Sequence, residues 1–278
     1  MSFAGRLPGG RPANRSGDAG DPRAARPFPM DAPLPPEILP EVRVPMKRRR
    51  PDPDDGQLAA RPRPPPALAP EPGVHRLGLD GRRDALLYVP DGLAADRPAP
   101  LALMLHGAGG NGHNALGIAQ RLADELGMLV VAPDSRGRTW DIILGAYGPD
   151  VEFVQQALEA VFARCAVDAA RVAIGGFSDG ASYALSLGVA NGDLFTHVLA
   201  FSPGFMAPPA QQGAPRIYVS HGTEDTVLPI ERCSRRLVPR LQTAGYALLY
   251  REFDGPHTVP APVAREAFEW FADGTRPG

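Results

Sequence analysis

From Val74 onward, short continuous apolar runs alternate with longer segments whose apolar residues recur every three or four positions. A short apolar run with no polar alternation fits a strand buried on both faces, and the longer segments fit amphipathic crossover helices. This alternation restricts the chain to a mostly parallel sheet covered by helices on both faces. The runs at 101–105, 128–132, 172–175, 198–201, 217–220 and 248–253 are read as strands. Segments 115–126, 151–163, 181–190, 230–244 and 261–271 are read as helices, with Gly127 closing the first and Pro229 opening the fourth. Two earlier runs, 74–77 and 85–89, flank Leu79-Asp80-Gly81-Arg82, whose Asp-Gly pair suits a turn, so the sheet is expected to open with antiparallel strands. The expectation is one doubly wound α/β domain over residues 73–273, of about eight strands, with no insertion long enough to make a separate lid.

Residues 1–72 read differently. They hold 18 of the 33 prolines and carry a net charge of +3, against −5 for the remainder. Runs such as Pro62-Arg63-Pro64-Pro65-Pro66 bury too little surface to offset the entropy of ordering them, so a disordered Pro/Arg-rich tail is expected over 1–72, with a short second tail at 274–278. The cluster Lys47-Arg48-Arg49-Arg50 is followed at once by Asp52, Asp54 and Asp55, which favours a solvated linker over a nucleic-acid or membrane contact. A net charge of −2 over 278 residues supplies no global field toward nucleic acid or anionic lipid. No apolar run approaches the roughly 18–20 residues of a membrane span. Met1, Met30 and Met46 all lack the apolar run of a secretory leader, so cytoplasmic residence is expected. Two cysteines, Cys165 and Cys233, are too few for a disulfide framework or a four-ligand zinc site, and neither a metal nor a cofactor is expected.

Gly176-Phe177-Ser178-Asp179-Gly180 matches GxSxG where a predicted strand meets a predicted helix. Such a turn forces its serine into a strained backbone and holds its hydroxyl at the sheet's carboxyl edge; glycines flank it because side chains there would collide. A serine hydroxyl needs a base and a carboxylate to orient that base. His257 follows the last predicted strand, and Asp225 follows the strand ending at Ser220. The order Ser178, Asp225, His257 places each candidate beyond a different strand at the same edge. His106 and His221 also end strands at that edge and remain rival bases, and Glu224 and Asp254 remain rival carboxylates. His75 and His197 sit at the opposite edge and read as structural.

The run His106-Gly107-Ala108-Gly109-Gly110-Asn111-Gly112 follows a buried strand and offers unobstructed N–H groups. In a hydrolase reading, Ala108 N–H joins Asp179 N–H as the oxyanion hole. Gly107, Gly109 and Gly112 also satisfy GxGxxG, with Asp134 about 20 residues beyond, which allows a dinucleotide-binding alternative. The preceding hairpin and a helix read as starting only at Ala115 count against it. Segment 134–150 lacks periodicity and should overhang the same edge. Trp140, Ile142 and Tyr147 within it, with Phe205 and Met206 after another strand end, are candidate walls of an acyl pocket or ordinary packing beneath a loop.

The blocks LMLHGAGGNG, GGFSDGAS, SHGTEDTVLP and GPHTVP, in this order, resemble the α/β-hydrolase superfamily, and within it the phospholipase and carboxylesterase group of small bacterial serine esterases. The resemblance spans roughly 74–273. It implies Ser178 as nucleophile, Asp225 and His257 as its partners, and the loop after His106 as half of the oxyanion hole. Acyl-protein thioesterases carry glutamine where Asp179 stands here, so thioesters and lipidated proteins are not the expected substrates. Secreted polyester-depolymerase-like relatives act on polymers, which the absence of an export signal makes unexpected here. Dienelactone hydrolases usually employ cysteine, and neither cysteine occupies the elbow. The sequence therefore points to a cofactor-independent hydrolase of small to medium acyl esters, its partner a small-molecule ester. The alternative from another class is a hydrolase-like binding module that has lost catalysis.

Overall fold

The computed structural model describes residues 55–64, 70–93 and 97–273. The basic cluster at 47–50 and the tail at 274–278 lie outside them. Eight strands run β1 Gly73–Arg76, β2 Ala85–Val89, β3 Ala99–Leu105, β4 Leu129–Pro133, β5 Val167–Phe177, β6 His197–Phe201, β7 Arg216–Gly222 and β8 Leu248–Phe253. They form one sheet in the order β1-β2-β4-β3-β5-β6-β7-β8. β2 is antiparallel to both β1 and β4, and every other pairing is parallel. The antiparallel opening and the parallel remainder follow the sequence pattern.

Among the described residues, five α-helices cover the sheet: α1 Gly112–Leu126, α2 Pro149–Arg164, α3 Asp179–Ala190, α4 Ser234–Thr243 and α5 Ala261–Ala272. Leu101, Leu103 and Leu105 of β3 face one apolar core with α2, α3 and α4. Ala102 and Met104 face the other, with α1 and α5. Period-two alternation thus feeds two cores at once, which is why β3 reads as an unbroken apolar run. β8 departs from that expectation. It is an edge strand of Leu-Leu-Tyr-Arg-Glu-Phe, only partly covered, whose Arg251 and Glu252 are exposed.

Two helix starts also differ from the sequence reading. α1 begins at Gly112, three residues early, because Asn111 and Asn114 form a capping box: each side chain accepts the other's backbone N–H, at 3.0 and 3.2 Å. α4 begins at Ser234 because residues 230–233 form a tight turn closed by Arg232 N–H to Pro229 O and Cys233 N–H to Ile230 O.

The segment 55–64 corrects the expected extent of the disordered tail. It lies against the α2–α3 side, with Leu58 and Ala60 buried in the main core. Leu58 N–H donates to Asn191 Oδ1 at 2.8 Å, and Asn191 Nδ2 donates back to Gly56 O at 2.8 Å. Gln155 Oε1 accepts both Ala59 and Ala60 N–H. Fixed side-chain partners satisfy this strap, where a free tail would rely on water.

Candidate active site

Four parallel strands, β3, β5, β7 and β8, end at one edge of the sheet, and each delivers one part of the site. Ser178 sits between the end of β5 and the first turn of α3 with φ 58° and ψ −121°. A non-glycine residue in that region costs about 1–3 kcal/mol and persists only where its surroundings impose it. Here the imposition is steric. A Cβ on Gly176 would lie 2.5 Å from Gly180 C, and one on Gly180 would lie 2.4 Å from Leu105 O. Both flanking positions of the motif are therefore closed to any larger residue, and the turn is pressed against the end of β3.

His257 Nε2 lies 2.8 Å from Ser178 Oγ, and His257 Nδ1 lies 2.5 Å from Asp225 Oδ2. Asp225 is buried, and its other oxygen, Oδ1, accepts the N–H groups of Val227 at 2.9 Å and Leu228 at 2.8 Å. Those two donors fix the carboxylate plane and leave Oδ2 for the imidazole, which places the ring proton on Nδ1 and leaves Nε2 free to accept from Ser178. Phe177 packs on the His257 ring, centroids 4.6 Å apart. Gly222 admits the histidine loop, because a Cβ there would meet Gly255 O at 2.3 Å and Pro256 O at 2.6 Å. The sequence signal for that requirement is a glycine at the strand's end.

The rival bases are committed elsewhere. His221 Nδ1 pairs with Ser234 Oγ at 2.7 Å, and its Nε2 lies 2.7 Å from Leu228 O and 3.2 Å from Asp225 Oδ2. It braces the Asp225 loop from behind, and burial pushes its pKa down. His106 is buried, with Nδ1 2.7 Å from Gly107 O and Nε2 accepting Ser135 N–H at 3.0 Å. Glu224 is exposed, and Asp254 is contacted by Thr223 Oγ1 at 3.4 Å. Of these histidines and carboxylates, only His257 reaches Ser178, and Asp225 is joined to it through His257.

Gly107 lies beside the serine: a Cβ there would be 3.4 Å from Ser178 Cβ. Gly110 N–H closes a turn onto Gly107 O at 3.0 Å, and Gly109, at φ 70°, takes the position glycine fills without strain. Ala108 is exposed at the tip. Asp179 opens α3, so its N–H belongs to the helical turn that has no i−4 carbonyl. Among the described residues, neither the Ala108 nor the Asp179 N–H meets a backbone carbonyl.

Segment 134–150 does overhang this edge. Asp141 N–H donates to Asp150 Oδ2 at 2.7 Å and Asp150 N–H returns to Asp141 Oδ2 at 2.9 Å, so the middle of the segment is tied to its end. Burial raises the Asp150 pKa to about 6. Gly109 N–H donates to Arg138 O at 2.8 Å, and Thr139 Oγ1 donates to Asp179 Oδ2 at 2.6 Å. Three of the expected pocket residues are core instead. Trp140 is fully buried, donates its indole N–H to His106 O at 2.8 Å and stacks on Tyr183; Ile142 and Met206 are buried in the same cluster. Tyr147 and Phe205 stay partly exposed. A bulky residue after a strand end can roof a cleft or seal a core, and the large area of Trp140 favours sealing.

The glycine-rich loop gives no support to the dinucleotide alternative. Gly112 does open α1, but Asp134 Oδ1 accepts Gly112 N–H at 2.6 Å, and a Cβ on Gly112 would lie 2.4 Å from Ala132 O. The acidic side chain that would hold a ribose is already spent on the helix N-terminus.

Comparison with known proteins agrees with this topology. A ferulic acid esterase from Anaeromyces mucronatus, solved with ferulic acid, superposes with a TM-score of 0.53 at 17% identity, covering 74% of this chain and 92% of that one. The chain has the fold of the α/β-hydrolases. Residues 149–257 of the chain match the phospholipase/carboxylesterase family model, a span that contains Ser178, Asp225 and His257. Feruloyl esterase C of Emericella nidulans is 29% identical over 159 residues, 54% of this chain and 57% of that protein. A bifunctional acetylxylan esterase/xylanase of Neocallimastix patriciarum is 33% identical over 157 residues, 52% of this chain and 22% of that protein. The chain thus spans less than two thirds of the length of the curated relatives it matches. Among the described residues, no helix is long and apolar enough to cross a membrane.

Proposed function

We propose that this protein hydrolyses carboxylic esters of small to medium acyl groups through an acyl-enzyme on Ser178. The observation that carries the reading is the unbroken chain of contacts from Ser178 Oγ through His257 to Asp225, at 2.8 and 2.5 Å. Ser178 Oγ attacks the acyl carbonyl while His257 Nε2 takes its proton. The imidazolium that forms is stabilised by Asp225, whose remaining oxygen is already saturated by two N–H groups. The carbonyl oxygen becomes an oxyanion facing the N–H groups of Ala108 and Asp179, donors typically worth about 3–4 kcal/mol each when removed. His257 then gives its proton to the leaving alcohol, and a water repeats the sequence to release the acid. Acetyl and feruloyl esters are the first substrates to try, since relatives at 29–33% identity bear those names.

Replacing Ser178 by alanine tests the proposal. p-Nitrophenyl butyrate turnover should fall to background while circular dichroism stays unchanged, whereas undiminished turnover would remove Ser178 from the chemistry. A scaffold that only binds would show no ester turnover in the unaltered protein.

A further inference from the structure

His106 is the best-anchored side chain near the site that the proposed chemistry does not use. All its polar atoms are assigned. Its carbonyl accepts the Trp140 indole N–H at 2.8 Å. Its Nε2 lies 3.0 Å from Ser135 N–H, a donor that cannot act as an acceptor, so this nitrogen must carry the lone pair. The ring proton is then on Nδ1, and Nδ1–H donates to Gly107 O at 2.7 Å. Gly110 N–H reaches the same oxygen at 3.0 Å. Arg83, Asp134 and Asp179 are the charged groups around the ring, and burial is the dominant influence, favouring the neutral form.

The carbonyl held in this way is one half of a single rigid unit. Gly107 C=O and Ala108 N–H belong to the same peptide plane, and no described peptide bond is cis. In a trans amide the C=O and N–H point in opposite directions. Whatever fixes Gly107 O therefore fixes the direction of Ala108 N–H. Two donors hold that plane, His106 Nδ1–H and Gly110 N–H, both on Gly107 O.

We propose that His106 is a positioning residue of the oxyanion hole: its Nδ1–H clamps Gly107 O so that Ala108 N–H points toward the reacting carbonyl at Ser178. The inference rests on the ester-hydrolase reading and adds a component to it. His106 touches no substrate and transfers no proton. It helps hold the glycine-rich tip as a preorganised donor, which is where a hole of this kind gains its advantage over water.

Two variants of the full chain test it. In asparagine the amide nitrogen is bonded to Cγ, as Nδ1 is in histidine, so His106→Asn can still donate to Gly107 O. In His106→Gln the amide lies one bond farther out and loses that reach. His106→Gln should lower kcat for p-nitrophenyl acetate by about 100-fold, near the low end of the loss on removing a donor outright. Its KM should stay within about threefold. His106→Asn should recover at least about tenfold of that loss in kcat. A trifluoromethyl ketone, which adds Ser178 Oγ and leaves an oxyanion in the hole, should bind His106→Gln more weakly by about the same factor as kcat falls. The matching methyl ketone should bind both proteins alike. Ring nitrogen NMR of the unaltered protein supplies a readout that no variant's folding can spoil. It should show Nδ1 protonated and Nε2 bare at pH 7.5. A wild-type kcat in a folded His106→Gln, or a ring proton on Nε2, would overturn the clamp. Loss of ester turnover in the unaltered protein would instead sink the underlying reading, while the ring NMR would still decide where Gly107 O is held.

Discussion

Asp179 Oδ2 accepts the Thr139 hydroxyl at 2.6 Å, tying the residue after the candidate nucleophile to the loop that overhangs it. The bond keeps a carboxylate close to the place where the proposed reaction develops negative charge. A substrate bringing a second negative charge meets repulsion there, and at ~8 Å with an effective dielectric of ~40 the interaction is about 1 kcal/mol, or roughly fivefold.

Asp179→Asn removes that charge and retains an acceptor for Thr139. The ratio of kcat/KM for mono-p-nitrophenyl succinate to that for p-nitrophenyl butyrate should rise about fivefold. An unchanged ratio would show that Asp179 does not select on substrate charge.

Gly222→Ala should damage activity far more than its size suggests. Its Cβ would be 2.3 Å from Gly255 O, so the loop carrying His257 must move. A displacement of about 1 Å can cost about 100-fold in rate, and a loss of that order in kcat/KM is expected. Gly117→Ala is the control, because a Cβ at that exposed position in α1 meets nothing within 4 Å. It should leave activity unchanged and raise stability by about 0.5–1 kcal/mol, read by urea denaturation.

The strap at 55–64 should contribute to stability. Leu58 is 1% exposed and packs in the same core as α2 and α3. Leu58→Ala is expected to lower the unfolding free energy by about 2–4 kcal/mol in denaturant titration. A change under about 0.5 kcal/mol, the range of ordinary surface substitutions, would mean the strap does not stay docked in solution.

His197 should make the fold acid-sensitive. It is buried against Trp270 and Phe271, its Nε2 has no partner among the described residues, and burial lowers its pKa to about 4. The unfolded chain, with a pKa near 6.5, binds a proton that the folded chain refuses between those values. Stability is therefore fully present above about pH 6.5 and declines as pH falls toward 4, by up to about 3 kcal/mol from this group. His197→Phe should show a shallower decline between pH 7 and 4.5 than the unaltered protein. Parallel curves would show that His197 takes no part.

The parts of this structure that were legible in the sequence are those where one physical requirement dominates. β3, β4 and β6 are apolar on both faces because helices cover both, and GxSxG was informative because Gly176 and Gly180 have no room for a side chain. Chain order alone favoured His257 over His106 and His221, which end strands at the same edge; their contacts with Gly107, Ser135 and Ser234 are tertiary and leave no local signal. Trp140 illustrates the opposite limit, since an indole beyond a strand end suits a pocket wall or a core equally, and only its bond to His106 O decides. The strap is not legible in the sequence because its order comes from Asn191 and Gln155, more than 90 residues away, and not from its own proline-rich composition.

The most direct measurement is covalent labelling with a fluorophosphonate followed by peptide mapping, carried out on the unaltered protein and on Ser178→Ala and His257→Ala. Only a serine whose proton can be removed by a paired imidazole reacts quickly with such a probe. The expected result is one modified peptide, with the phosphonate on Ser178, absent from Ser178→Ala and formed at least about 100-fold more slowly in His257→Ala. A probe that labels another residue, or that labels Ser178 at the same rate without His257, would contradict the account.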